Sequence, residues 1–352
     1  MARNRRAQLD QSSPKPVETA AAPRTGKVGV LLVNLGTPDG TDKAPMRRYL
    51  REFLSDRRVI EWPRAVWYPI LYGIVLNTRP KKSGALYKSI WNTERNESPL
   101  LTFTRAQSEK LAEALKDRET VVVDYAMRYG NPSMESVTRR MMGEGCDRIV
   151  MFPLYPQYSA TTTASVNDKF FEALTKMRFQ PAIRIVPTYH GEPVYIDALA
   201  LSIEAHLATL DFEPETVIAS YHGIPQSYAR RGDPYPQQCH ETSRLLRERL
   251  GWDEKKLMTC FQSRFGPEEW LQPYTDKTLE KLAKDGVKSV AVFNPGFVSD
   301  CLETLEEIAV QGQETFHHAG GKNFSHIPCL NDSAEGMAVI ETLVKRELAG
   351  WA

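Results

Sequence analysis

Eight short apolar runs, falling into two groups of four, constrain this chain more than any other feature. The first group is 28–34 (VGVLLVN), 120–124 (TVVVD), 148–152 (RIVMF) and 183–186 (IRIV). The second is 216–221 (TVIASY), 257–261 (LMTCF), 288–293 (KSVAVF) and the weaker 323–327 (NFSHI). These runs are continuous and β-branched rather than alternating, the pattern of strands covered on both faces. Helical periodicity falls between them, at 104–117, 134–144, 167–177, 194–207, 237–250, 273–285 and 302–311, with a closing helix at 334–348. Strand–helix alternation builds parallel sheets through right-handed crossovers. The expected class is therefore α/β, with two similar lobes at 27–190 and 191–352, each a four-stranded parallel sheet flanked by helices. The closing helix is free to pack back on the first lobe.

The bulk numbers agree and exclude several alternatives. A chain of 352 residues is long for one hydrophobic core and comfortable for two. Lys plus Arg (45) nearly balances Asp plus Glu (44), so bulk charge gives no reason to expect nucleic acid. The five cysteines (146, 239, 260, 301, 329) are odd in number and scattered, which argues against a disulfide framework and for a reducing, cytoplasmic setting. No run approaches 18 apolar residues, so no membrane span is expected. Residues 1–26 are basic, rich in Ala and Pro, and lack the apolar core of a secretory signal; a disordered tail is expected.

One segment breaks the rhythm. Residues 61–91 (EWPRAVWYPILYGIVLNTRPKKSGALYKSIW) are dense in aromatics and carry Arg79, Lys81 and Lys82. They read equally as two core helices or as a greasy, basic-rimmed lip suited to a flat acidic ligand or a membrane face.

In open α/β sheets, ligands bind outside the carboxyl ends of the strands. Those ends carry LGTPD, YAMRYGNPS, PLYPQYSATTTAS, YHGIPQSYARRGDPYP, QSRFGPEEW and NPGFVSDCLETLEEIA, where Gly, Pro, aromatics and hydroxyls collect. LGTPD is no dinucleotide fingerprint, and no GxxxxGK occurs. His222 directly follows a strand. Asp300, Glu303 and Glu307 would share one helix face, a repulsive row beside Glu306. That row is either a solvated face or a path along which cations or protons step. Asp300 at the helix start would meet the positive dipole end, and imidazole plus carboxylate suits a divalent first-row metal. Arg128 and Tyr129 read equally as site residues or as turn chemistry. His190, His206, His240, His317 and His318 read as structural or surface residues.

The long motifs carry a resemblance. SYHGIPQSYARRGDPYPQQC, FQSRFGPEEWLQPYT and NPGFVSDCLETLEEI, with LLVNLGTPD and YPQYSATTTAS, make residues 28–348 resemble the ferrochelatases, lyases that insert Fe²⁺ into protoporphyrin IX in the last step of haem biosynthesis. The resemblance implies two Rossmann-like, chelatase-like lobes with a porphyrin cleft between them. It assigns His222 as the active-site histidine and Glu303 as its paired carboxylate, both candidate metal ligands, with Asp300 and Glu307 behind them. Arg128 and Tyr129 would form one wall; Tyr155, Ser263 and Trp270 would line the ring pocket; Arg79 or Lys81 would pair with the propionates. Segment 61–91 corresponds to the active-site lip, which touches the bilayer in membrane-associated members.

Three departures stand out. Cys301 replaces a second histidine found in many relatives, and Leu35 replaces the Tyr of enzymes acting on coproporphyrin, which favours protoporphyrin. The chain reaches Ala352 without the Cys-rich tail that binds a [2Fe–2S] cluster in some members, so no cofactor beyond substrate iron is expected. A coproporphyrin or sirohydrochlorin-type chelatase and a non-catalytic haem or metal carrier are the competing readings.

Overall fold

The computed structural model describes residues 26–352, so the expected tail at 1–26 lies, Gly26 aside, outside the described residues. Eight strands are found there: β1 (Lys27–Thr37), β2 (Val121–Gly130), β3 (Cys146–Pro153), β4 (Ala182–Ile185), β5 (Thr216–His222), β6 (Leu257–Gln262), β7 (Ser289–Phe293) and β8 (Asn323–His326). They form two parallel four-stranded sheets ordered β2-β1-β3-β4 and β6-β5-β7-β8, one order used twice. Each apolar run of the sequence became a strand; the inner strands are covered on both faces, with Val28, Val30, Leu31, Leu32 and Val33 of β1 wholly buried, while the edge strands β4 and β8 are at most half-buried.

A single apolar cluster joins the inner faces of both sheets, running from Val30 and Val150 to Val217 and Ala291. The closing helix Ala334–Leu348 lies within it, packed against helices Pro99–Ala114 and Pro193–Leu207 and against β3. Its Leu343, Val344 and Leu348 are buried, each contributing about 1.5–3 kcal/mol of transfer free energy. Arg148 donates to the Trp351 carbonyl (2.9 Å) and Arg118 to that of Ala352 (2.8 Å), tying the chain end to the first sheet.

Between β1 and β2 runs the long excursion that contains segment 61–91. It folds as helix Arg64–Ile70, a wide π turn Leu71–Val75 and helix Leu76–Ile90. One face buries Trp67, Leu71, Leu76 and Tyr87, while the other leaves Val66, Tyr72 and Ile74 at 52, 44 and 60% exposure.

The acidic stretch departs from expectation. Helix Leu302–Leu305 is short and gives way to a π turn, Glu307–Gly312, before resuming at Gln313–His318. Cys301, not Asp300, is its N-cap: the Thr304 hydroxyl accepts the Cys301 N–H at 3.0 Å, and the Cys301 thiol takes the Thr304 N–H in return. Asp300 precedes the helix and points elsewhere, accepting from Asn331 Nδ2 (2.7 Å), Thr304 Oγ1 (2.8 Å) and the Cys329 N–H (3.3 Å). It is buried and fully used in holding the loops together.

Candidate active site

The carboxyl ends of β1, β3, β5 and β7 converge on one cavity of about 510 Å³. The segment 61–91 and the loop after β6 close it, through Trp62, Ile70, Val75, Phe265 and Trp270 among others. Its lining is largely apolar, with a few polar side chains that include His222, Glu303, Arg79 and Gln157.

His222 ends the central strand β5, opposite Gln262 of β6. Its Nδ1 lies 2.6 Å from the Gly223 carbonyl oxygen, which can only accept. Nδ1 therefore carries a hydrogen, and whenever the ring is neutral its lone pair lies on Nε2. Gly223 is required here: a Cβ would come within 2.9 Å of the Gln262 carbonyl and 3.2 Å of the Trp270 ring. That close approach sets the indole 6.4 Å from the imidazole, ring to ring.

Glu303 enters from the short helix after β7, its carbonyl held by Gln262 Nε2 at 2.7 Å. Burial, then the Glu303 charge, pushes the Cys301 thiol well above its ordinary pKa, so it stands as a neutral S–H beside the carboxylate. Tyr87, also lining the cavity, is raised by burial and next by the charge of Glu303. Glu307 stands one step behind. Burial raises its pKa; hydrogen bonds from Ser263 and the proximity of His222 work against the rise, while Glu303 adds to it. Ser263 makes these bonds from a left-handed backbone (φ 66°) that few non-glycine residues adopt.

The structure brings together only part of the expected set. His222, Glu303, Leu35, Tyr155, Trp270 and Arg79 all face the cavity. Ser263 does not line it; its N–H and hydroxyl are turned to Glu307. Arg128 and Tyr129 lie behind the wall, because a buried carboxylate competes for them: both bond Asp56, and Arg128 also donates to the Ser165 carbonyl at 2.9 Å. Tyr129 supports the site from behind through Phe53, whose ring stacks edge-on at 5.0 Å and does line the cavity. Lys81 is exposed on the outer side of its helix, away from the lining, whereas the Arg79 guanidinium lies 5.5 Å over Phe265. Among the described residues no three His, Cys, Asp or Glu side chains gather as a metal-holding cluster; His222 and Glu303 both line the cavity.

Sequence reasoning passed over Tyr87, Gln157 and Asp56. Tyr87 lay in the aromatic-rich segment and Gln157 in PLYPQYSATTTAS, so composition pointed at their neighbourhoods without separating them. Trp270 Nε1, Tyr155 Oη and Gln157 Oε1 are buried polar atoms without a hydrogen-bond partner in the protein, as expected where a ligand completes the set.

A sequence model of the ferrochelatase family matches residues 27–348. The chain belongs to the ferrochelatase family. A ferrochelatase of Chelativorans sp. (strain BNC1) is 76% identical over 338 residues, covering 96% of each chain. One from Mesorhizobium japonicum is 71% identical over 346 residues, 97% of this chain and 98% of the relative. Among solved structures, SirB from Bacillus subtilis with Fe³⁺ has a TM-score of 0.53 at 13% identity, covering 92% of this chain and 96% of that one, a likeness of fold alone. Ferrochelatases are lyases that insert ferrous iron into porphyrin for haem synthesis, and that is the activity of this family member.

Proposed function

We propose that the lobes 27–190 and 191–352 grip protoporphyrin IX in the cavity between them while His222 and Glu303 carry out the exchange of two pyrrole protons for one Fe²⁺. The observation that carries this reading is that His222, at the end of β5, and Glu303, on the short helix after β7, line the same apolar cavity although they stand 81 positions apart in the sequence, with Glu307 behind them. A flat macrocycle hides its nitrogen lone pairs from an incoming ion. Pressed between Leu35, Trp270 and the lip, the ring bends, and the binding energy of its periphery supplies the distortion.

His222 Nε2 accepts the two pyrrole protons one after the other, passing the first on before taking the second, while its Nδ1–H stays on the Gly223 carbonyl, which fixes the ring. The imidazolium so formed stabilises the Glu307 carboxylate, the next acceptor on the way out. Glu303 meets the iron as one oxygen ligand, leaving its other positions for water and then for the ring nitrogens. Asp300 serves this arrangement indirectly, by fixing the loop from which Cys301 and Glu303 project. Arg79 pairs with a propionate at the mouth; Lys81, Arg128 and Tyr129 act from outside the cavity, and Ser263 through Glu307. No cofactor beyond the substrate iron enters this scheme.

Residues 62–93 carry five basic and no acidic side chains beside the exposed Val66, Tyr72 and Ile74. Among the described residues no helix is long and apolar enough to cross a membrane. The basic, apolar lip supports peripheral contact with an anionic bilayer, and the scattered free cysteines support a reducing, cytoplasmic setting. An anaerobic assay following porphyrin absorbance with Fe²⁺, run on protoporphyrin and coproporphyrin in parallel, tests the substrate. Conversion is expected on protoporphyrin; a preference for coproporphyrin overturns the assignment, and binding without conversion of either favours a carrier.

A further inference from the structure

The cavity walls come from both sheets, so the contacts that cross between the lobes set the gap into which a ring must fit. At the mouth these contacts are exposed. Trp62 Nε1 donates to Glu268 Oε1 at 2.8 Å, and Glu61 pairs with Arg231. Exposed pairs of this kind contribute about 0–1 kcal/mol each and open readily.

At the inner end the contacts are buried. Gln157 Nε2 donates to Thr242 Oγ1 (3.0 Å), and the Tyr158 N–H donates to Gln238 Oε1 (2.6 Å). Asp233 makes the densest set and is only 8% exposed. One of its oxygens accepts from Ser159 Oγ (2.8 Å) and the Ala160 N–H (2.7 Å); the other accepts from the Tyr235 N–H (3.1 Å). Ala160 opens a helical run that continues through the π turn Ala160–Ala164 into helix Ser165–Thr175. A carboxylate of the second lobe thus caps a helix of the first, a charge-assisted bond at the positive end of the dipole. The neighbours on both sides face the cavity: Ser159, Thr161 and Thr162 from one wall, Tyr228 and Tyr235 from the other. Asp233 itself does not line it.

Building on the insertion reading above, we propose that Asp233 is a positioning residue for metal insertion, setting the width of the cleft at which the porphyrin is held bent. The carboxylate joins the two walls without touching the ring. Losing it lets the threonine loop and the tyrosine pair move apart, and the ring relaxes toward planarity.

The test compares wild type with Asp233→Asn and Ser159→Ala, reading melting temperature, protoporphyrin affinity, kcat and the out-of-plane bands of the bound ring in resonance Raman spectra. An amide offers one acceptor oxygen, so Asp233→Asn uncaps one wall or the other; Ser159→Ala removes one of the bonds to Asp233, together with the hydroxyl's own contacts to the Thr161 hydroxyl (2.9 Å) and N–H (3.2 Å), and keeps the charge. For Asp233→Asn the expected result is weakened out-of-plane bands and a kcat about 10- to 100-fold lower, with affinity changed only a few-fold. Ser159→Ala is expected to fall between it and wild type. Full out-of-plane intensity in folded Asp233→Asn, or a kcat reduced only in proportion to the unfolded fraction, overturns the proposal. A wild type that inserts iron without bending the ring overturns it too, leaving the insertion activity standing; a wild type that binds porphyrin without inserting iron fails the reading beneath it.

Discussion

Ser263 holds Glu307 at both carboxylate oxygens, with its backbone N–H at 2.7 Å from one and its hydroxyl at 2.5 Å from the other. Burial raises the pKa of the carboxyl, and the Ser263 hydroxyl is the foremost group working against that rise, ahead of His222. Ser263→Ala removes a donor to the ionised form and raises the Glu307 pKa further. The acid limb of the pH–rate profile for insertion is then expected to move to higher pH, with porphyrin affinity little changed. An unmoved limb in the alanine variant would show that Glu307 takes no part in proton release.

His222→Ala and Glu303→Gln each remove one of the polar side chains that line the cavity. Both are expected to lower insertion to near background and leave protoporphyrin binding within a few-fold of wild type, as read by fluorescence quenching. General base catalysis alone accounts for about 10²–10⁴-fold. Wild-type turnover in either variant would remove that residue from the chemistry.

Arg128 gives the opposite expectation. It is bonded to Asp56 behind the wall, both side chains being about nine-tenths buried. Burial works to raise the Asp56 pKa, but the Ser165 hydroxyl, Arg128, the Arg58 N–H and the Tyr129 hydroxyl together bring it below its ordinary value. Arg128→Ala strands that carboxylate and is expected to cost about 3–5 kcal/mol in a urea titration. Insertion per folded molecule is expected to stay near wild type. Full stability with lost activity would instead put Arg128 on the substrate.

The same carboxylate predicts an acid dependence. Its folded pKa is depressed, so the unfolded chain binds more protons at low pH and stability rises with pH. The Asp56 contribution is present above its unfolded pKa, near 3.8, and is lost as pH falls from there through the lower folded value. Asp56→Asn is expected to flatten the stability profile in that acid window. An unchanged slope there would rule out the network as a source of acid sensitivity.

The lip supplies a prediction that leaves chemistry aside. Tyr72 and Ile74 are exposed and absent from the cavity lining. Tyr72→Glu with Ile74→Glu is expected to reduce sedimentation with anionic phosphatidylglycerol vesicles several-fold, while insertion into detergent-solubilised porphyrin is retained. Equal binding by wild type and variant would discard the membrane contact.

Much of this was legible in the chain. Strand positions follow from short-range physics: a β-branched run such as 28–33 is buried on both faces wherever it lies, so it reads as a central strand before any partner is known. The ends of such strands gather functional groups, which is why His222 and Glu303 stood out by position, whereas Trp270 was singled out by the resemblance. The helical row of carboxylates was half right. Glu303 and Glu307 remain neighbours in effect, but Asn331, Thr304 and the Cys329 N–H draw Asp300 away, and the π turn at Glu307 is not written in the period of the pattern.

What the sequence alone determined is the class of fold, the order of its elements and the loops where chemistry would gather, because each depends on residues close together along the chain. Tertiary structure decided which of those side chains face one another. Arg128 turned inward because Asp56, 72 residues away, offered it a buried carboxylate; Asp233 came to cap a helix 73 residues before it. A polar group out of reach of water takes whichever partner the packing of the whole molecule presents, and local pattern carries no record of that choice.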